Sequence, residues 1–183
     1  IDIGGGSTEF IIGQRFEPEQ LESLHMGCVS FRDQFFPDGT VTHENMKRAI
    51  THAERELQPI KKRYKQLGWA QCVGSSGSIK AIFQALGEDG TLAQRVSAKD
   101  MSKLRDKLVE LGDAQALADF GVKKERLSIF PAGFAILFAA FYFWNFSFHP
   151  IINIGLKSCI LTLIYVFIIK KMVISKDLNE LLS

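Results

Sequence analysis

Two short turns built from glycine and hydroxyl residues carry the densest chemistry in this chain. The first lies in Asp2-Ile3-Gly4-Gly5-Gly6-Ser7-Thr8-Glu9. Glycine has no Cβ, so the backbone N–H groups of Gly4, Gly5 and Gly6 can turn toward a ligand and approach it closely. A run of such N–H groups forms a nest for phosphate oxygens, to which the Ser7 and Thr8 hydroxyls can add donors. Asp2, at the end of a strand-like stretch, is suited to hold a divalent cation through an oxygen or a bound water. Glu9, just past the turn, could orient or deprotonate a water attacking phosphorus. A glycine-rich hairpin with two surface acids accounts for the same residues without any chemistry. The second turn, Gly74-Ser75-Ser76-Gly77-Ser78, follows an apolar run and opens a helical pattern. Backbone donors at a helix N-terminus with adjacent hydroxyls suit anions, although Ser/Gly turns also simply start helices. Neither turn is a P-loop, because no Lys follows the second glycine at the required place. The dinucleotide fingerprint fails too, since the first turn leads into a strand.

The elements that must position these turns follow from hydrophobic period. Ile1-Asp2-Ile3 reads as the end of a buried strand and Glu9-Phe10-Ile11-Ile12-Gly13 as a second, so the first turn closes a β-hairpin. Gln20 to His25 reads as a third strand, with Leu21 and Leu24 only partly in phase. A short helix over Met26–Phe36 stops at Pro37-Asp38-Gly39. Thr42 is an N-cap for the next helix, and Glu44 favours its positive end. There Met46, Ile50, Ala53, Leu57, Ile60, Tyr64 and Leu67 form one apolar stripe, and Pro59 is expected to kink the helix or divide it. Ala70–Val73 is a short strand, Ile79–Leu86 a helix, and Ala98–Leu111 another, marked by Met101, Leu104, Leu108 and Leu111. Strands alternating with helices argue for an α/β or α+β domain.

The 183 residues are 46% hydrophobic and 23% charged, with a net charge of +2, which excludes a disordered tail, a collagen-like repeat and a strongly basic nucleic-acid binder. The average hides a split. Residues 1–126 hold 18 Lys+Arg and 18 Asp+Glu, and the next charge is Lys157. Cys28, Cys72 and Cys159 form no CxxC pair and no zinc spacing, so reduced thiols in a cytoplasmic setting, packed as apolar residues, are expected.

Four segments in order, DIGGGSTE (Asp2–Glu9), HMGCVSF (His25–Phe31), VGSSGSIKAI (Val73–Ile82) and ERLSIFPAGFAIL (Glu125–Leu137), closely resemble the exopolyphosphatase / guanosine pentaphosphate phosphatase family. MGCVSF and the following FFPDG look more like the exopolyphosphatase branch. The resemblance implies an actin-like, ribonuclease-H-like ATPase-type α/β lobe over residues 1–139, the second of two lobes around a phosphate-holding cleft. It implies removal of terminal phosphate from inorganic polyphosphate, with the 5′ γ-phosphate of guanosine pentaphosphate as the alternative substrate, and Mg²⁺ as the cofactor. A phosphate-binding module without catalysis is a further alternative. By match to the motifs, Asp2 would bind metal or water and Glu9 would be a catalytic carboxylate. Gly4, Gly5, Gly6, Ser7 and Thr8 would cradle phosphate, joined by Gly74, Ser75, Ser76, Gly77 and Ser78.

Family members carry an N-terminal lobe before the DIGGGSTE strand, with a first phosphate-binding turn and a glutamate assigned as general base, and the full-length enzyme is expected to be a homodimer. The stretch read here is therefore expected to be incomplete at both ends and to show little or no activity alone. Residues 140–183 depart from the family. They lack its Ala-Leu-Arg-Glu-Gly type signature, and nine of the 19 residues from Phe130 to Phe148 are aromatic. Three readings of this hydrophobic tail, helical or disordered, stay open: a shifted reading frame or decayed gene end, a membrane anchor ending at Lys170-Lys171, and a divergent soluble ending. As an anchor it would offer two spans meeting at His149-Pro150, the first shortened by its overlap with the family match.

Overall fold

A computed structural model describes residues 1–15, 17–87, 93 and 96–144, and the backbone of 148–150. The elements run β1 (Asp2–Ile3), β2 (Thr8–Gln14), β3 (Glu17–Leu24), α1 (Cys28–Phe35), α2 (His43–Leu67), β4 (Cys72–Gly74), α3 (Gly77–Ala85), α4 (Ala98–Leu111), a 3₁₀ segment (Ala114–Phe120), α5 (Lys124–Leu127), α6 (Phe130–Trp144) and β5 (Phe148–Pro150). Strands β1, β2 and β3 form an antiparallel meander with Asp2 opposite Glu9, Ile3 opposite Thr8 and Glu9 opposite Ser23. Strands β4 and β5 pair in parallel. Ile1 joins the two groups: its nitrogen donates to the Val73 carbonyl at 2.7 Å, and the Ser75 amide donates to the Ile1 carbonyl at 3.1 Å. These two bonds place the start of the three-stranded sheet β1-β2-β3 beside the two-stranded sheet β4-β5, with β1 and β4 running in the same direction.

Side chains alternate across a strand, and the sheet uses this to separate two environments. Ile3, Thr8 and Phe10 are buried on the side covered by helices, whereas Asp2 and Glu9 are half-buried on the other. Phe10 meets Trp144 of α6 with ring centroids 5.2 Å apart. The Tyr64 hydroxyl of α2 donates to the Phe10 carbonyl at 2.6 Å, and burial pushes its ionisation well above the usual tyrosine range. Helix α6 packs against α2, α1, α3 and α4, and of its 15 residues all but Tyr142 are buried. An all-round apolar helix is the expected outcome for an element enclosed by others. At about 1.5 Å per residue it spans roughly 22 Å, short of a bilayer core. Among the described residues, no helix is long and apolar enough to cross a membrane. The proposed second span, with Lys157, Lys170 and Lys171, lies outside the described residues.

Several boundaries differ from expectation. Helix α2 is one 25-residue element containing Pro59, so the expected division does not occur. Pro59 and Arg55, whose carbonyl the proline leaves without a helical donor, both face solvent, while Leu57, Ile60 and Tyr64 keep the buried stripe running. Water can serve the Arg55 carbonyl, and packing outweighs the proline. Leu67, assigned to that stripe, is exposed, as the last residue before Gly68. Strand β3 begins at Glu17, three residues earlier than expected, because Pro18 is tolerated on the sheet's outermost strand. Thr42 caps α2 as expected, accepting from the Asn45 amide at 3.1 Å. Cys28 is buried and Cys72 half-buried, and burial raises the Cys72 thiol to about 11.

Tyr64→Phe removes the only side-chain donor to the Phe10 carbonyl among the described residues while keeping the ring. A loss of about 1–2 kcal/mol is expected in urea unfolding, and an unchanged midpoint would show that β2 does not depend on this bond.

Candidate active site

Both predicted turns leave the same edge of the sheet, because β1 and β4 run in parallel and each ends in one of them. The first is closed by the Gly4 amide donating to the Ser7 carbonyl at 2.8 Å. Its other face rests on the start of α1: the Cys28 amide donates to the Gly4 carbonyl at 2.9 Å, and those of Val29 and Ser30 to the Gly5 carbonyl at 2.9 and 3.2 Å. Gly27 makes this approach possible, since a Cβ there would sit 2.2 Å from the Gly5 carbonyl oxygen. Gly5 and Gly6 are exposed. The hydroxyl of Thr8 points the other way, into the protein, where it donates to the Met26 carbonyl at 2.5 Å. What Thr8 can offer a ligand at the turn is therefore backbone.

The two carboxylates are cross-strand partners. One oxygen of each is held by serine: Ser7 Oγ donates to Glu9 Oε1 at 2.6 Å and Ser23 Oγ to the same atom at 3.0 Å, while Ser75 Oγ donates to Asp2 Oδ2 at 3.1 Å. Ser75 thus spends its hydroxyl on Asp2 and its amide on Ile1, fastening the second turn to the first. Ser23, on β3, is a site neighbour that the sequence reading missed. Its signal was the register of a hairpin whose third strand was placed only approximately.

In the second turn, Ser76 Oγ caps α3 by accepting from the Ile79 amide at 3.1 Å. Ser78 Oγ is buried and has no partner among the described residues, and its Cβ lies against Gly133 of α6. Gly77 lies directly under a guanidinium: a Cβ there would be 2.6 Å from Arg126 Nη2. Arg126, half-buried on α5, brings positive charge to the start of α3. It stands in the fourth sequence segment, which had been given no site role. The structure thus brings together Asp2, Glu9, the glycine turn and the second turn, and turns the hydroxyls of Thr8 and Ser78 away into the packed interior.

Among the described residues no group of three or more His, Cys, Asp or Glu could hold a metal by itself. A magnesium ion commonly takes one or two carboxylates and completes its shell with water and phosphate oxygens. Asp2 and Glu9, adjacent on one face and each with a second oxygen beyond the serine bonds, fit that requirement.

The sequence profile of the Ppx/GppA phosphatase family matches residues 1–161. The chain belongs to this family. It is 39% identical over 141 residues to a guanosine-5′-triphosphate,3′-diphosphate pyrophosphatase of Aeromonas hydrophila, covering 77% of this chain and 28% of that protein. It is 40% identical over 141 residues to a Haemophilus influenzae protein named as a candidate exopolyphosphatase, covering 77% of this chain and 44% of that one. The chain thus spans less than half the length of these curated relatives. The crystal structure of the Aquifex aeolicus Ppx/GppA family member superposes with a TM-score of 0.71 at 23% identity, over 90% of this chain and 55% of that one. An exopolyphosphatase from Cytophaga hutchinsonii gives 0.66 at 22% identity, over 81% and 51%. The fold is accordingly the α/β, actin-like lobe of Ppx/GppA enzymes.

Because Gly77 meets only the movable tip of Arg126, Gly77→Ala should fold normally yet push the guanidinium off the turn. We expect thermal melting within about 2 °C of wild type, below what a 1 kcal/mol change produces, together with weaker tripolyphosphate binding by calorimetry. Unchanged affinity in Gly77→Ala and in Arg126→Gln would remove Arg126 from the site.

Proposed function

We propose that this chain is the phosphate-holding second lobe of an exopolyphosphatase-type phosphohydrolase. The observation that supports the reading most is convergence: an acid pair, an exposed glycine turn and an Arg-backed Ser/Gly turn meet at one sheet edge. In-line attack of water on a terminal phosphorus forms one P–O bond and breaks the anhydride bond, and the departing phosphate oxygen carries away the electron pair. Negative charge grows on the leaving and equatorial oxygens, where fixed N–H donors and a cation act best. Glu9, held by Ser7 and Ser23, orients the water or takes its proton. Asp2, held by Ser75, would share Mg²⁺ with the phosphate, and the bound ion would neutralise phosphate charge. One lobe supplies one wall of a cleft, so slow turnover by this stretch alone is part of the proposal. So is pairing with a further lobe and with a second copy when full length.

Polyphosphate and guanosine pentaphosphate both present a terminal phosphoanhydride to this site. The wording of Met26–Phe31 and Phe35–Gly39 favours polyphosphate, whereas the name of the Aeromonas relative favours the nucleotide. Competition between the two substrates, scored as the ratio of kcat/KM, decides between them.

With Mg²⁺ and long-chain polyphosphate, we expect little phosphate release from this stretch, and Glu9→Gln should lower what release there is by about 100-fold or more, the scale of a side chain that orients or deprotonates the attacking water, with tripolyphosphate affinity changed much less. Equal release from Glu9→Gln would sink the assignment. Tripolyphosphate binding that neither Mg²⁺ nor Asp2→Asn alters would sink the role given to Asp2.

A further inference from the structure

The first amides of a helix lack partners within it and form the positive end of its dipole. In many proteins such an end takes an anion, but here the amides of Cys28, Val29 and Ser30 are already spent on the carbonyls of Gly4 and Gly5. This has a geometric consequence. In a planar trans peptide the C=O and the following N–H point in opposite directions, and the described residues contain no cis peptide. Tying the Gly4 carbonyl to α1 therefore turns the Gly5 N–H away from α1, and tying the Gly5 carbonyl does the same for Gly6. Both residues are exposed, and among the described residues neither amide donates to a protein acceptor.

We propose that helix α1 is the positioning element of the anion cradle: its first-turn amides pull the Gly4 and Gly5 carbonyls inward and so aim the Gly5 and Gly6 N–H groups outward at a terminal phosphate. The inference rests on the phosphate reading of the glycine turn and names the part of the chain that sets its geometry. Gly27 is required because any side chain would enter the Gly5 carbonyl. Ser30 supports the arrangement by exchanging hydrogen bonds with the Gly27 amide and carbonyl at 3.2 and 3.1 Å. None of these residues touches the phosphate. The helix acts through two peptide planes, and its own positive end reaches the ligand only as the orientation of the turn.

The test compares three proteins by tripolyphosphate titration: wild type, Val29→Pro and Val29→Ala. Val29 is exposed and lies in the first turn of α1, where proline is best tolerated within a helix. Proline removes the shorter of the two amide bonds to the Gly5 carbonyl, leaving that of Ser30, and sets its ring against the same oxygen, so the carbonyl is pushed from α1, whereas alanine keeps both bonds. We expect Val29→Pro to bind about tenfold more weakly, the worth of one hydrogen bond to a charged group, and Val29→Ala to restore wild-type affinity within about twofold. A second measurement needs no variant. In wild type, amide NMR should show the largest tripolyphosphate-induced shifts at Gly5 and Gly6 and slowed hydrogen exchange at Val29. Equal binding by a folded Val29→Pro would overturn the inference and leave the phosphate reading standing. So would largest shifts at Cys28 to Ser30, which would place the anion on the helix itself. Absence of tripolyphosphate binding by wild type would overturn both.

Discussion

Two hydrogen bonds at Ile1, one to Val73 and one from Ser75, lock β1 beside β4 in parallel, and the position of nearly every polar group follows from that pairing. Parallel neighbours end at the same edge, so the turn after β1 and the turn after β4 emerge side by side even though about 70 residues separate them. Had the two strands been antiparallel, the glycine turn and the Ser/Gly turn would lie at opposite ends of the sheet. Ligands in α/β folds gather at the carboxyl ends of parallel strands for this reason. The bond from Ser75 to Asp2 then joins the two turns through a side chain as well as through backbone.

The second constraint is alternation. A single residue of offset would place Asp2 and Glu9 beneath the helices and Ile3, Thr8 and Phe10 in solvent. What prevents the slip is the apolar side. Phe10 is packed under Trp144 and its carbonyl is held by Tyr64, while α6 fills the interior on which α1, α2 and α3 also rest. The acid pair therefore owes its register to aromatic contacts on the far side of the sheet. Helix α6 also crosses residue 140 without a break and leads to β5 beside β4, so the residues just past the recognised motifs take part in the same core.

Much of this was legible in the residues. Glycine runs between apolar stretches gave the hairpin, Thr42 marked a helix start, and the period of Met46 to Tyr64 and of Met101 to Leu108 placed buried faces correctly. The failures have a common source, which is tertiary context. Pro59 breaks a helix only when the orphaned carbonyl cannot reach water, and the exposure of Arg55 was not readable from spacing. Pro18 lies within a strand because that strand is outermost, which depends on the order of the whole sheet. The apolar run through Phe130–Trp144 satisfied a composition rule for membranes and a packing rule for enclosed helices equally, and only the surrounding helices separate the two. Ser23 and Arg126 reach the site through register and through a contact across the sequence, so no local motif could announce them.

The hydroxyls show where motif reading is most easily misled. Ser7, Thr8, Ser75 and Ser76 stand in two turns that suit phosphate, and their type suggests direct donors. Yet Ser7 and Ser75 donate to the carboxylates, Thr8 donates to Met26, and Ser76 caps α3. Their hydrogen bonds fix the carboxylates and the turn backbones in place. Under the proposed reading, recognition of the anion would fall to the exposed backbone N–H groups of Gly5 and Gly6, whose direction is set by folding, and to the Arg126 guanidinium beside Gly77. In the proposed reaction, backbone donors fixed this way would need little reorganisation as charge develops on phosphate oxygens, the condition under which electrostatic stabilisation is most effective. A side chain at Gly27 would enter the Gly5 carbonyl, and one at Gly77 would displace the Arg126 guanidinium, so at these two positions glycine keeps an oriented neighbour in place.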